Sequence, residues 1–94
     1  MSSVDEIQVF RLFVVAGSAA SRQAVTNARR LCDELLPGRY ELEVIDLVER
    51  PELARRLQII ASPTLIRSSP EPPIRLIGDL SDRGSVVSAL GLGA

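Results

Sequence analysis

Apolar and polar positions along this chain change period several times. Residues 7 to 15, Ile-Gln-Val-Phe-Arg-Leu-Phe-Val-Val, are nearly continuously apolar and rich in β-formers, the pattern of a central strand covered on both faces. The run stops at Ala16-Gly17-Ser18. Val25, Ala28, Leu31, Cys32 and Leu35 then recur at three- and four-residue spacing until Pro37-Gly38, which predicts an amphipathic helix of about four turns capped by Ser18 or Ser21. Residues 40 to 48 predict a second strand, with Leu42 and Val44 on one face, Glu41 and Glu43 on the other, and Ile45 and Leu47 more buried. Strand, helix and strand within about forty residues form a right-handed βαβ unit with parallel strands.

The second half is written in shorter phrases. Pro51 is placed to open a helix, and Leu53, Ala54, Leu57 and Ile60 continue at helical spacing, so a short helix is expected over residues 49 to 60. Residues 64 to 67 and 74 to 77 are β-prone runs flanking Ser68-Ser69-Pro70-Glu71-Pro72-Pro73, an antiparallel hairpin whose proline-rich loop cannot join the ladder. Ser81 is expected to cap a last helix with Asp82 in its first turn and Val86, Val87, Ala89 and Leu90 as its stripe. Gly84, Gly91 and Gly93 each cost about 1 kcal/mol inside a helix, so that element should be weakly held. The order is βαβαββα, an α/β fold with a mixed sheet, in one domain over residues 1–94.

Composition limits what such a fold can do. With 94 residues the chain holds one modest core. Aromatics are 3% of it, so the core is aliphatic, with Phe10 and Phe13 as its largest pieces. A net charge of −1 gives no field that favours nucleic acid or an anionic membrane. All basic residues are Arg, from which no function follows. Without a basic leader or a run of some eighteen apolar residues, the protein is expected in the cytoplasm. The lone cysteine, Cys32, rules out an internal disulfide and a cysteine-based metal site.

Pro63 stands where the chain must turn sharply from the second helix into the third strand. A cis X-Pro bond costs only about 0.5–1 kcal/mol. The βαβαββα order with a proline heading the third strand resembles the thioredoxin fold, in which that proline is cis; a trans proline opening an edge strand is the alternative. Redox members of that fold place Cys-x-x-Cys at the turn into helix 1, where the helix terminus lowers the thiol pKa. Here that turn, Ala16 to Ser21, contains no sulfur, and Cys32 lies inside the apolar stripe. The chain has no histidine to serve as a base near neutral pH or as a metal ligand. Ser18 and Ser21 are better read as caps than as anion-binding or glutathione-type groups. No catalytic residue, metal or cofactor is expected.

From Phe10 to Leu90 the chain resembles the KaiB family of circadian-clock proteins. The resemblance is carried by Leu12-Phe13-Val14-Val15-Ala16-Gly17, Tyr40 with Val44-Ile45-Asp46, Pro51-Glu52-Leu53-Ala54, Ala61-Ser62-Pro63-Thr64-Leu65 and, above all, Pro72 to Arg83 with its Gly78-Asp79-Leu80-Ser81-Asp82 run. It implies a regulatory protein that exchanges between two folds: a ground state with a rearranged second half, usually tetrameric, and a thioredoxin-like state that binds a KaiC-like ATPase and then KaiA. It also implies partner contacts at Arg22, Glu41, Glu43 and Gln58, and a switching segment marked by Pro63, Gly78, Asp79 and Asp82. A homo-oligomer, dimer or tetramer, is expected. An adaptor or sensor module docking on a histidine kinase is the other reading.

The chain departs from the family in charge. Members typically carry a small residue and a lysine at the positions of Glu41 and Glu43, acids at Arg55 and Arg56, and a lysine near Gln58. This is surface drift, or it predicts a partner with matching inversion. Arg22, beside Thr26 and Arg29, reads equally as solvated helix surface. The sequence ends at Gly91-Leu92-Gly93-Ala94, short of an acidic tail many members carry, which bears on the expected tetramer contacts.

Overall fold

The computed structural model describes residues 6–92. Seven elements follow one another: β1 (Gln8–Val14), α1 (Ala19–Leu35), β2 (Tyr40–Asp46), α2 (Pro51–Arg56), β3 (Thr64–Ser69), β4 (Ile74–Ile77) and α3 (Arg83–Leu90). The sheet order is β2-β1-β3-β4, with β1 parallel to β2 and antiparallel to β3, and β3 antiparallel to β4. Continuous apolarity in β1 thus has its expected cause. Its even-numbered side chains, Phe10, Leu12 and Val14, enter a layer with Ala24, Ala28, Leu31 and Cys32 of α1 and Val86 and Leu90 of α3. Phe13 points the other way, into a smaller cluster with Ile45, Leu53 and Ile66 beneath α2. Burying each such large side chain is worth roughly 2 kcal/mol.

Between the two candidate caps of α1, the structure selects Ser18, whose Oγ accepts the Ser21 amide at 3.2 Å. Ser21 is buried and its hydroxyl oxygen accepts the Val15 amide at 3.1 Å, tying the first turn of α1 to the end of β1. Pro63 follows a cis peptide bond, as do Pro70 and Pro72.

Several expectations are corrected. β2 ends at Asp46, because the Asp46 carboxylate and carbonyl accept the amides of Val48, Glu49 and Arg50 and turn the chain. Val44 is more than a third exposed on the sheet's edge strand, although Tyr40 and Leu42 on the same face of β2 pack against the α1 layer. α2 stops at Arg56, not at Ile60. Asp82, not Ser81, caps α3, accepting the Ser85 amide at 3.2 Å. Ala89 is exposed, and Gly91 lies outside the helix as its left-handed cap (φ 66°), where glycine carries no penalty. The expectation at Gly93 lies outside the described residues.

Candidate functional site

The end of α2 is a helix stop built without glycine. The Ile59 amide donates to the Ala54 carbonyl and the Gln58 amide to the Arg55 carbonyl, the two bonds of a Schellman motif. Gln58 therefore takes the left-handed position, with φ 55°. Ile59 turns in to pack beside Leu53 and Ile66. Ile60 is thrown outward and is 89% exposed, close to the limit for a large apolar side chain. Arg75 of β4 holds this loop from the side, donating to the carbonyls of Leu57 at 2.7 Å and Gln58 at 2.9 Å. Ile77, on the same face of β4 as Arg75, is 61% exposed. Ala54, Arg55, Gln58, Ile59 and Ile60 line an open groove of about 500 Å3. The result is an exposed apolar surface bordered by Arg55 and Arg75.

The eight residues singled out in the sequence do not form one cluster. Gln58 is at the centre of this surface. Arg22 sits on α1, and its guanidinium donates to the Gly17 carbonyl at 3.0 Å, fixing the turn that follows β1. Glu41 and Glu43 are exposed on β2, the opposite edge of the sheet from β4, about 14 Å away by strand spacing. Both share a face with Ile45, and Glu43 pairs with Arg11 at 3.8 Å. Pro63 and Gly78, in contrast, are joined directly, and Asp79 and Asp82 hold the turns that follow Gly78. The Gly78 amide donates to the Pro63 carbonyl at 2.9 Å. The Asp79 carbonyl accepts from Asn27 of α1 at 2.9 Å, and its carboxylate accepts the Ser81 amide at 3.0 Å. Leu80 between them is buried at φ 65°. These bonds hold the carboxyl of Asp79, through Ser81, and that of Asp82, through Ser85, below the usual carboxylate range.

Ile60 and Arg75 are the members of this surface that sequence reasoning missed. Ile60 fits the helical spacing of α2, so its exposure was hidden by a regular pattern. Arg75 carries the only available signal, a lone cation alternating within a four-residue apolar strand.

The nucleophiles that the sequence offers at and near α1 are otherwise engaged. The turn after β1 presents Gly17, Ser18 and the Arg22 guanidinium, and Ser18 is occupied with capping. Burial, with Asp33 adding to it, pushes the Cys32 thiol up to about 11, away from the reactive range. Among the described residues no group of three or more Cys, Asp or Glu side chains is placed to hold a metal ion. No described helix is long and apolar enough to cross a membrane.

A mixed four-stranded sheet of this order, with a cis proline heading β3, defines a protein of the thioredoxin fold, here with no sulfur at the turn into α1. Solved structures agree on the fold. The N-terminal domain of Synechococcus elongatus SasA matches with a TM-score of 0.75 at 21% identity, covering 94% of this chain and 87% of that one. Chloroplastic thioredoxin z matches with a TM-score of 0.71 at 20% identity, covering 94% and 81%. Residues 11–92 match the KaiB domain, and the chain belongs to the KaiB family. It is 39% identical over 84 residues to the circadian clock protein KaiB3 of Synechocystis sp., covering 89% of this chain and 82% of that protein. It is 37% identical over 92 residues to the circadian clock oscillator protein KaiB of Microcystis aeruginosa, covering 98% and 88%. The family is regulatory and not catalytic.

Proposed function

We propose that this chain is a clock-type regulatory protein that acts by docking on a KaiC-like ATPase in its thioredoxin-like arrangement, in a timing or stress-response system. The observation that carries the reading is Ile60, an apolar side chain left almost wholly in water beside the α2 groove by a specific helix stop. A partner that covers Ile60 and Ile77 recovers apolar burial that the fold itself forgoes. Gln58 is proposed as a direct contact at this surface, Arg22 as the residue fixing its adjoining turn, and Glu41 and Glu43 as a separate acidic contact on the β2 edge. Pro63, Gly78, Asp79 and Asp82 are proposed to hold the second half in the binding arrangement and to come apart in the alternative one. KaiA is a proposed later partner of the same complex.

The test is a pull-down with the KaiC homologue of the same genome, with and without ATP, using the wild-type chain and Ile60→Ala. Binding that depends on nucleotide and weakens at least ~10-fold in the variant is expected, the range of a buried interface anchor. Absence of any complex under every nucleotide condition overturns the reading.

A further inference from the structure

Arg67 is the one described residue whose charge has been taken into the core. It is 8% exposed, faces the same side of β3 as Leu65, and is flanked in the ladder by Phe10 and Ile74. Around it lies the larger apolar layer, in which Phe10, Leu65 and Leu90 are all buried. Both of its hydrogen bonds leave from Nη1, to the Leu90 carbonyl at 2.8 Å and to the Gln8 side-chain oxygen at 3.2 Å. Nε is buried with no partner, and among the described residues no carboxylate pairs with the guanidinium. Among the described residues a desolvated cation is thus offset by two neutral acceptors on one nitrogen. Well-packed apolar side chains of similar volume commonly replace buried charges with no loss of stability, or with a gain.

The place of the contact matters as much as its balance. Leu90 is the last residue of α3, and its carbonyl is one of those a helix end leaves unpaired. Apart from this contact, α3 is held by an exposed ion pair from Arg83 to Glu34 of α1 and by its packing on the core, which half-buried Val87 joins. Val86 and Leu90 are its buried residues, Gly84 weakens its first turn, and its end is closed by the Leu92 amide donating to the Val87 carbonyl at 3.0 Å. When the last turn of α3 lifts, Leu90 loses burial, but the Arg67 guanidinium regains water at Nε and at its full charge. The two changes oppose each other.

We propose that Arg67 is a release device for α3: it aligns the helix end through Leu90 while its charge, which no described carboxylate pairs, keeps the docked helix poised to leave the sheet. The claim concerns this arrangement of the chain alone and stands whether or not an ATPase partner is found. In wild type, α3 then opens separately from the sheet core.

Amide hydrogen exchange on the full chain tests this, comparing wild type with Arg67→Met, Arg67→Gln and Arg67→Lys. In wild type the amides of residues 86–92 should exchange faster than those of β1. Arg67→Met, neutral and similar in length, should slow exchange across residues 86–92 at least ~10-fold. Arg67→Gln, neutral but still a donor, should slow it in the same direction and serves if the Met variant does not fold. Arg67→Lys, which keeps the charge, should give no slowing. Unchanged or faster exchange of α3 in both neutral variants overturns the proposal and makes Arg67 a plain clamp. So does wild-type exchange of α3 at the same rate as β1.

Discussion

Gln58→Gly is the substitution on which the account of the α2 stop can be judged. Gln58 occupies the left-handed position of a Schellman motif at φ 55°, where a side chain costs about 1–2 kcal/mol relative to the right-handed region. Its side chain is exposed and nothing is buried by it, so removing it forfeits no packing. Glycine returns roughly 0.5–1 kcal/mol through the greater freedom of its unfolded chain. The difference leaves Gln58→Gly more stable than wild type by about 0.5–1 kcal/mol, a rise of roughly 2–8 °C in Tm for a domain of this size. Gln58→Ala keeps the conformational cost and should stay within about 0.5 kcal/mol of wild type. Thermal and urea unfolding of the three proteins, followed by far-UV circular dichroism, reads the comparison. If the alternative arrangement holds residue 58 at negative φ, the same glycine shifts the population about 2–5-fold toward the thioredoxin-like state. A Gln58→Gly protein no more stable than Gln58→Ala refutes the reasoning, because the left-handed cost would then be absent.

Phe13→Ala removes the largest member of a cluster whose other buried residues are Ile45, Leu53 and Ile66, and should cost about 3–5 kcal/mol in urea titrations. At pH 8 the Cys32 thiol should react with a disulfide reagent at least ~100-fold more slowly in the native protein than in urea, the thiolate deficit expected from a pKa raised from 9.0 to about 11. Because that pKa is raised, the associated stability is intact below about pH 8.5–9 and is lost as pH rises through about 11; Cys32→Ala should lack this alkaline decline. Asp79 and Asp82 have the opposite sign: their lowered values stabilise the fold above about pH 4, and the benefit disappears as pH falls through the folded-state values. Exchange protection of the first turn of α3 should fall over that acid range, and less so in Asp82→Asn, which still caps without titrating.

The parts of the fold that were legible are those in which one local signal had no competitor. β1 is apolar on both sides because both of its faces are covered, and α1 carries its stripe between a serine cap and Pro37-Gly38. The end of α2 was not legible, because the usual punctuation is missing: a Schellman stop normally shows a glycine, and here Gln58 takes that place while Ile59 and Ile60 continue the helical spacing. Ser81 and Asp82 are both good caps, and only the path of the chain through buried Leu80 decides between them. Arg67 and Arg75 alternate with apolar neighbours as solvent-facing residues do. Yet Arg67 is enclosed because α3 crosses its face of the sheet, and no periodicity in β3 announces a helix from elsewhere in the chain. The candidate surface was half read for the same reason: Gln58 came from the family pattern, whereas Ile60 becomes conspicuous only once the helix is known to stop before it.

The costly features are confined to one side of the chain. The βαβ half from β1 to β2 contains no described non-glycine residue at positive φ and no buried polar atom without a partner. The half that follows contains Gln58 and Leu80 in the left-handed region and Arg67 with its unpaired Nε. For each of these an ordinary substitute is expected to relieve a local cost, although at Leu80 the loss of a buried side chain outweighs what glycine would relieve. Among the described residues these local costs are therefore unevenly distributed, absent around β1 and α1 and gathered from the end of α2 onward. Two arrangements of one sequence need to lie within only a few kcal/mol for a partner to choose between them, and a partner shifts that balance only by its difference in affinity for the two. Small, separable costs in the second half act in the direction that the proposed exchange requires. On the proposed reading, the second condition is met by Ile60, which stands exposed where Gln58 ends α2 and which a partner of the thioredoxin-like arrangement would cover.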